Sequence, residues 1–216
     1  MLALKDAKEI ELREYQTEAV EALRRKIRAD QKRLVLCAGT GAGKTVIASH
    51  LLRQADLKGS YALFLVDRVA LVNQTSATLD AYGIHHGVLQ GSGHKRYAPR
   101  ENVQVCSIQT LANRRLPREP SLIIYDECHA QYKSTLDYMA QHPNAVKIGL
   151  TATPFSKGMG KHWDGMVNVI PTRALIDGGH LIQPKMYVAK SPEEAELGLD
   201  GFGEYTKESA STAGIR

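Results

Sequence analysis

Cysteine is scarce and scattered. Cys37, Cys106 and Cys128 are the only three in 216 residues, and none forms a CxxC spacing. This excludes a disulfide scaffold and argues against structural zinc. Each thiol reads as a small buried hydrophobe rather than a reactive group. Long apolar runs are also missing: none approaches the roughly 18 to 20 residues that cross a bilayer. The opening Met-Leu-Ala-Leu-Lys-Asp lacks the apolar core of a signal peptide. The expectation is a soluble cytoplasmic protein with no membrane partner. No internal repeat or low-complexity segment interrupts the chain. His50, His85, His86, His94, His142, His162 and His180 show no metal-ligand spacing and read as surface or core residues.

What is present suits one globular domain. Hydrophobic residues make up 43% and charged residues 24%, ordinary values for a packed core. The net charge is +5, but it is unevenly spread. Residues 191–216 carry six acidic and two basic side chains, which leaves +9 on residues 1–190. A basic body suits a polyanionic partner, although many plain soluble domains are as basic.

The most informative stretch is Ala38-Gly39-Thr40-Gly41-Ala42-Gly43-Lys44-Thr45. It follows the apolar Leu34-Val35-Leu36-Cys37 and leads into Val46-Ile47-Ala48-Ser49-His50-Leu51-Leu52. Strand, glycine-rich turn and helix in that order are the context of a phosphate-binding loop. Glycines let successive N–H groups turn inward on an anion, and the helix adds its positive end. Lys44 would reach the β- and γ-phosphates, and Thr45 would hold Mg²⁺. A strict version of the pattern has Gly where this chain has Ala38.

The remaining pattern alternates helices and buried strands. Tyr15, Ala19, Leu23 and Ile27 recur every four residues and predict a helix over 14–29. Strands are expected at 33–37, 61–66, 84–89, 103–106, 121–125, 146–150 and 184–190. Helices are expected over 45–55, 67–82 (with Val69, Val72 and Leu79 inward), 107–111, 132–141 and 171–178. Residues 155–165 read as a loop whose Trp163 packs beneath it rather than stacking on a base. The polar loop at 90–100, with Lys95, Arg96 and Arg100, reads either as solvated surface or as a phosphate contact. The order implies an α/β fold, a mostly parallel sheet with helices on both faces and ligands at the carboxyl ends of its strands. Residues 1–190 would form the domain, and the acidic, Gly/Ser-containing 191–216 a linker.

Two further motifs fall at predicted strand ends. Asp126-Glu127 follows Ser121-Leu122-Ile123-Ile124-Tyr125. Such an Asp can hold Mg²⁺, and the adjacent Glu can deprotonate a water that attacks the γ-phosphate. Thr151-Ala152-Thr153 follows the strand at 146–150 and taken alone is a generic polar turn. Gln16, at the start of the first helix, has the donor and acceptor to read the N6 and N7 edge of adenine.

Taken together, Leu12–Gln16, Ala38–Thr45, Phe64–Thr75, Cys106–Leu111, Asp126–His129 and Thr151–Pro154 resemble the ordered motifs of superfamily 2 helicases of the DEAD/DEAH type. The box here reads Asp-Glu-Cys-His, and an Ala-first phosphate loop is normal in that family. The segment from Asn168 to Pro184 is similar to the stretch after the first motor domain in RadD-like bacterial and phage helicases. The resemblance covers roughly residues 10–190 and implies an N-terminal RecA-like P-loop domain of a nucleic-acid-dependent ATPase. ATP and Mg²⁺ are the implied cofactors, and nucleic acid, DNA before RNA, the implied partner. Arg13 and Gln16 match the adenine-reading motif. Gly39, Thr40, Gly41, Ala42, Gly43, Lys44 and Thr45 match the phosphate cradle. Asp126 matches the Mg²⁺-side carboxylate and Glu127 the catalytic base. His129, Thr151 and Thr153 match residues that couple the nucleotide site to movement. Arg68, Ser107, Gln109 and Thr110 match segments that touch the sugar-phosphate backbone, contacts that carry no sequence preference.

This family's motor uses a second RecA-like domain with an arginine finger, and no second phosphate-loop-like domain occurs in this sequence. The expectation is that residues 1–216 bind ATP–Mg²⁺, hydrolyse it feebly and do not unwind duplexes alone. Two other functions share the same loop: a small-molecule phosphotransferase, and a nucleotide- or nucleic-acid-binding module that does not turn over.

Overall fold

Apolar runs without alternation need cover on both faces, and the fold supplies it with a single sheet between two helical layers. In the computed structural model, which describes residues 8–91, 93–111 and 114–183, seven parallel strands form that sheet. They are β1 (Arg33–Cys37), β2 (Ala62–Val66), β3 (Gly87–Leu89), β4 (Val103–Ser107), β5 (Leu122–Tyr125), β6 (Val146–Thr151) and β7 (Gly165–Asn168). Their spatial order is β3-β4-β2-β5-β6-β1-β7. The helices are α1 (Glu14–Arg28), α2 (Lys44–Leu57), α3 (Val69–Ala81), α4 (Ile108–Leu111), α5 (Lys133–Ala140) and α6 (Thr172–Asp177).

Successive strand residues face opposite sides, and the strands divide their side chains between two cores accordingly. Leu34, Leu36, Phe64, Val105, Ile124 and Ile148 pack with Leu23 of α1, Ile47 and Leu52 of α2, and Val72 and Leu79 of α3. Val35, Leu63, Leu65, Ile123 and Tyr125 pack on the other face with Tyr138 and Met139 of α5 and with Trp163. Trp163 is therefore a core residue under its loop, as expected, with 7% of its surface exposed.

Three local expectations need correction. Val69 opens α3 and is 53% exposed, and the buried face of the helix begins at Val72. The strand expected from 84 begins only at Gly87. β7 leaves no recognisable pattern in the sequence: it is a short edge strand that starts on Gly and keeps Met166 exposed. The strand expected at 184–190, the acidic segment 191–216 and the domain boundary between them lie outside the described residues.

Register fixes the chemistry. Cys37 of β1 stands opposite Thr151 of β6 and Asn168 of β7. Tyr125 of β5 stands opposite Gly149 of β6 and Leu65 of β2. Because all these strands run the same way, the segments following β1, β2, β4, β5 and β6 emerge along one edge.

Candidate nucleotide site

The phosphate loop leaves β1 at that edge and is tied directly to its neighbour. Ala38 N–H donates to the Thr151 carbonyl at 2.9 Å. Gly43, the residue before α2, has φ +82°, and a Cβ there would lie 2.3 Å from Gln16 Nε2. Only glycine meets both conditions without strain. Lys44 Nζ donates to the Ala38 carbonyl at 3.0 Å, so the ammonium sits against the loop's own backbone.

Gln16 joins α1 to the loop. Its Nε2 donates to the Ala42 carbonyl at 3.0 Å, and its Oε1 accepts from Arg13 N–H at 3.0 Å. Arg13 Nη1 donates to the Tyr15 hydroxyl at 2.9 Å. Arg13, Gln16, Gly41, Gly43, Val46 and Tyr82 line a cleft of about 360 Å³. No sequence pattern points to Tyr82: it caps α3, some forty residues from the loop, and only the fold brings it there.

Asp126 and Glu127 follow β5, and Asp126 N–H is anchored to the Leu65 carbonyl at 3.0 Å. Burial, reinforced by the Glu127 charge, pushes the Asp126 carboxyl up to about 6, against the pull of Lys44. A carboxyl this short of positive charge fits a cation, whose binding would favour its ionised form. Thr45 follows Lys44 in the first turn of α2.

Glu127 adopts a left-handed backbone, φ +50°, as does Gln131 at φ +47°. Each costs on the order of 1–3 kcal/mol for a non-glycine residue. They bracket the short 3-10 turn Cys128–Ala130, which turns His129 back toward β6. His129 Nδ1 lies 3.0 Å from Thr151 Oγ1 and 3.2 Å from Glu127 Oε2. Thr151 Oγ1 also accepts from Thr153 N–H at 3.0 Å. The acidic turn and the Thr-Ala-Thr turn are thus one hydrogen-bonded unit. Beneath it Gly149 leaves room for Cys128 Sγ and the Trp163 ring, each 2.6 Å from where a Cβ would stand. Burial holds the Cys128 thiol up at about 12, so it packs rather than reacts.

A second group lies at the ends of β2 and β4. Gln109 Nε2 donates to the Asp67 carbonyl at 3.0 Å, and Ser107 Oγ donates to Gln109 Oε1 at 2.6 Å. Thr110 Oγ1 accepts from Gly91 N–H at 2.9 Å. Ser107 is only 2% exposed, whereas the Arg68 side chain is 80% exposed, with Asp67 Oδ2 at 3.8 Å. The Tyr132 hydroxyl donates to Asp67 Oδ2 at 3.3 Å and links this group toward the box. Arg96 is held by both oxygens of Asp80 at 2.7 and 2.5 Å. Arg118 lies 4.8 Å over the Tyr61 ring and donates to Asn102 Oδ1 at 2.8 Å. Their cationic heads are engaged within the protein.

A phosphate-type loop, an acidic pair and a bridged threonine turn on one edge of this parallel sheet define the N-terminal RecA-like domain of superfamily 2 helicases. The comparison with protein families narrows this: residues 9–156 match the model "Type III restriction enzyme, res subunit", and the chain belongs to that family. It is 28% identical over 181 residues to the 51.5 kDa protein of a Lactococcus phage, covering 80% of this chain and 36% of that protein. It is 29% identical over 216 residues to the DNA 3'-5' translocase XPB2 of Sulfurisphaera tokodaii, covering 96% of this chain and 47% of the translocase. Among solved structures, the UvsW helicase of bacteriophage T4 shares the fold with a TM-score of 0.59 at 19% identity, over 77% of this chain and 64% of that one. The chain spans less than half the length of the two curated relatives. Among the described residues no helix is long and apolar enough to cross a membrane.

Proposed function

We propose that this chain is the ATP-binding half of a nucleic-acid-dependent motor that couples ATP hydrolysis to translocation on, or unwinding of, DNA. The observation that carries the reading is the His129 bridge. A base that only hydrolysed ATP would have no need of a link to the turn after β6. A motor needs its γ-phosphate site tied to parts that move.

In this reading the loop N–H groups and Lys44 hold the triphosphate, and the base lies in the cleft beside Gln16 and Tyr82. Thr45 and Asp126 would hold Mg²⁺, which would neutralise phosphate charge when bound. Glu127 takes the proton of the attacking water, and its backbone and His129 fix its direction. Arg68, exposed and held only loosely by Asp67, would meet a backbone phosphate, with Gln109 and Thr110 in the following segment. Ser107 acts through Gln109. Translocation along DNA is the activity named for the Sulfurisphaera relative, and it supports DNA over RNA as the track. It also weighs against a phosphotransferase built on the same loop. Such a motor would work in the cytoplasm.

Turnover by residues 1–216 alone is expected to be slow, because an arginine finger from a second motor domain is worth roughly 10³ to 10⁵ in rate in related chemistry. The test is ATP hydrolysis by the purified chain with and without single- and double-stranded DNA. Stimulation by DNA that disappears in Lys44→Ala supports the motor. Turnover indifferent to DNA and RNA but dependent on a small acceptor would overturn it.

A further inference from the structure

The opposite edge of the sheet, where β1, β6 and β7 begin, carries a cavity of about 420 Å³. Nothing in the nucleotide chemistry uses it. Sites for small organic molecules run from roughly 300 to 1,000 Å³. The walls combine the aliphatic Leu136, Met139 and Pro143 with the Trp163 indole, and the polar part comes chiefly from Lys32, Arg33, Lys147 and Asp164.

Charges around this cavity are unequally partnered. Arg33 is bound by Asp164 at 2.5 Å, and Lys32 lies 3.6 Å from Asp30. Asp164 also accepts the N–H groups of Lys32 and Arg33 at 3.2 and 3.0 Å, so its oxygens are taken. Lys147 is only 4% exposed. Its ammonium donates to the His142 carbonyl, and no carboxylate of the described residues lies within ion-pair distance of it. Burial, with Arg33 and Lys32 nearby, lowers its proton affinity against a lesser opposing pull from Asp164. A largely buried ammonium with no carboxylate at ion-pair distance is costly, and an anion in the adjoining cavity would relieve it. Trp163 Nε1 is buried without a hydrogen-bond partner.

We propose that this cavity is a second ligand site, distinct from the nucleotide site, for a small organic anion with a flat apolar body. The anionic group would pair with Lys147, and the body would lie against Trp163 and the Met139 wall.

Trp163 is the only tryptophan in the chain, so binding can be read at the site itself. The probe is 8-anilinonaphthalene-1-sulfonate, titrated into the full 216-residue chain, with energy transfer from Trp163 as the signal. Saturable one-to-one binding is expected, unchanged by saturating ATP and Mg²⁺. Lys147→Met is expected to weaken it about tenfold or more. Ala140→Phe, at an exposed position on the α5 wall, is expected to block the cavity with Lys147 intact. It carries the test if Lys147→Met does not fold. Displacement of the probe by ATP, unsaturable transfer, or parent-like binding in folded Lys147→Met or in Ala140→Phe would overturn the proposal. The cavity variants leave Lys44 and Glu127 untouched, so what they show does not bear on whether those residues serve ATP.

Discussion

His129 and Thr151 meet across two strands, the imidazole Nδ1 lying 3.0 Å from the hydroxyl. Glu127 reaches the same nitrogen at 3.2 Å. A carboxylate only accepts, so with Glu127 ionised Nδ1 carries the hydrogen. Losing this bridge is expected to leave ATP affinity alone and blunt the response to DNA. His129→Ala is therefore predicted to cut DNA-stimulated hydrolysis about tenfold, the rate equivalent of one hydrogen bond of roughly 1–1.5 kcal/mol. Thr151→Val should do the same, and the double variant should be no worse than either. Strictly additive losses in that cycle would show that the two side chains act separately.

Lys44 and Glu127 should separate binding from chemistry. Lys44→Ala removes a charge-assisted contact and is expected to raise the ATP dissociation constant about 10- to 100-fold. Glu127→Gln keeps the shape and removes the base, so hydrolysis is expected to fall by about 10²-fold or more with ATP still bound. Equilibrium binding of a fluorescent ATP analogue, measured beside single-turnover hydrolysis, checks both. Parent-rate hydrolysis by Glu127→Gln would remove that residue from the role of base.

Gly149 is where packing supports the site. Any Cβ there would collide with Cys128 Sγ and the Trp163 ring at 2.6 Å. Overpacking of this kind costs about 1–3 kcal/mol. In a domain of this size each kcal/mol is about 2–4 °C in Tm. Gly149→Ala should lower Tm accordingly and red-shift Trp163 emission. An unchanged Tm would mean that Cys128 and Trp163 can retreat without cost.

The chemistry is far more legible in the sequence than the connections behind it. Ala38–Thr45, Asp126-Glu127 and Thr151–Thr153 each follow an apolar run, so a parallel sheet is enough to place them on one edge. β1, β2 and β5 are visible because strands buried on both faces leave unbroken apolar runs, while β4 and β6 show through Gln104 and Lys147 by the apolar residues on either side. β7 leaves no such trace, since an edge strand starting on Gly is covered on one side only. Gln16 shows another limit. Its residue type suggests adenine, but its tie to Ala42 depends on how α1 lies over the loop, which no local pattern encodes. Likewise His129 is three residues from Asp126 in sequence, yet its bridge to Thr151 depends on the left-handed turn at Glu127. Tyr82 and Lys147 carry no signal, because their neighbours come from distant segments.

His86 ties stability to pH. It is buried, with Nδ1 2.9 Å from the Ile84 carbonyl and Nε2 2.7 Å from Ser76 Oγ. A carbonyl can only accept, so Nδ1 bears the hydrogen and the Ser76 hydroxyl donates to Nε2 in the neutral ring. Burial, with lesser pushes from Arg96 and His85, holds His86 below its ordinary 6.5 despite the Ile84 bond and Asp80. The unfolded chain therefore takes up this proton first as pH falls. The stability due to neutral His86 is complete above about 6.5 and is lost as pH falls from there through the lower folded value. Asp126, raised to about 6, works in the opposite sense: the folded chain binds its proton first and gains stability as pH falls through 6. His86→Gln can keep both hydrogen bonds without titrating, and it leaves Asp126 untouched. The difference in Tm between parent and variant isolates His86. Relative to the variant, the parent is expected to lose Tm steadily between pH 7 and pH 5. A difference that stays constant over that range would show that His86 takes up its proton equally in the folded and unfolded chain.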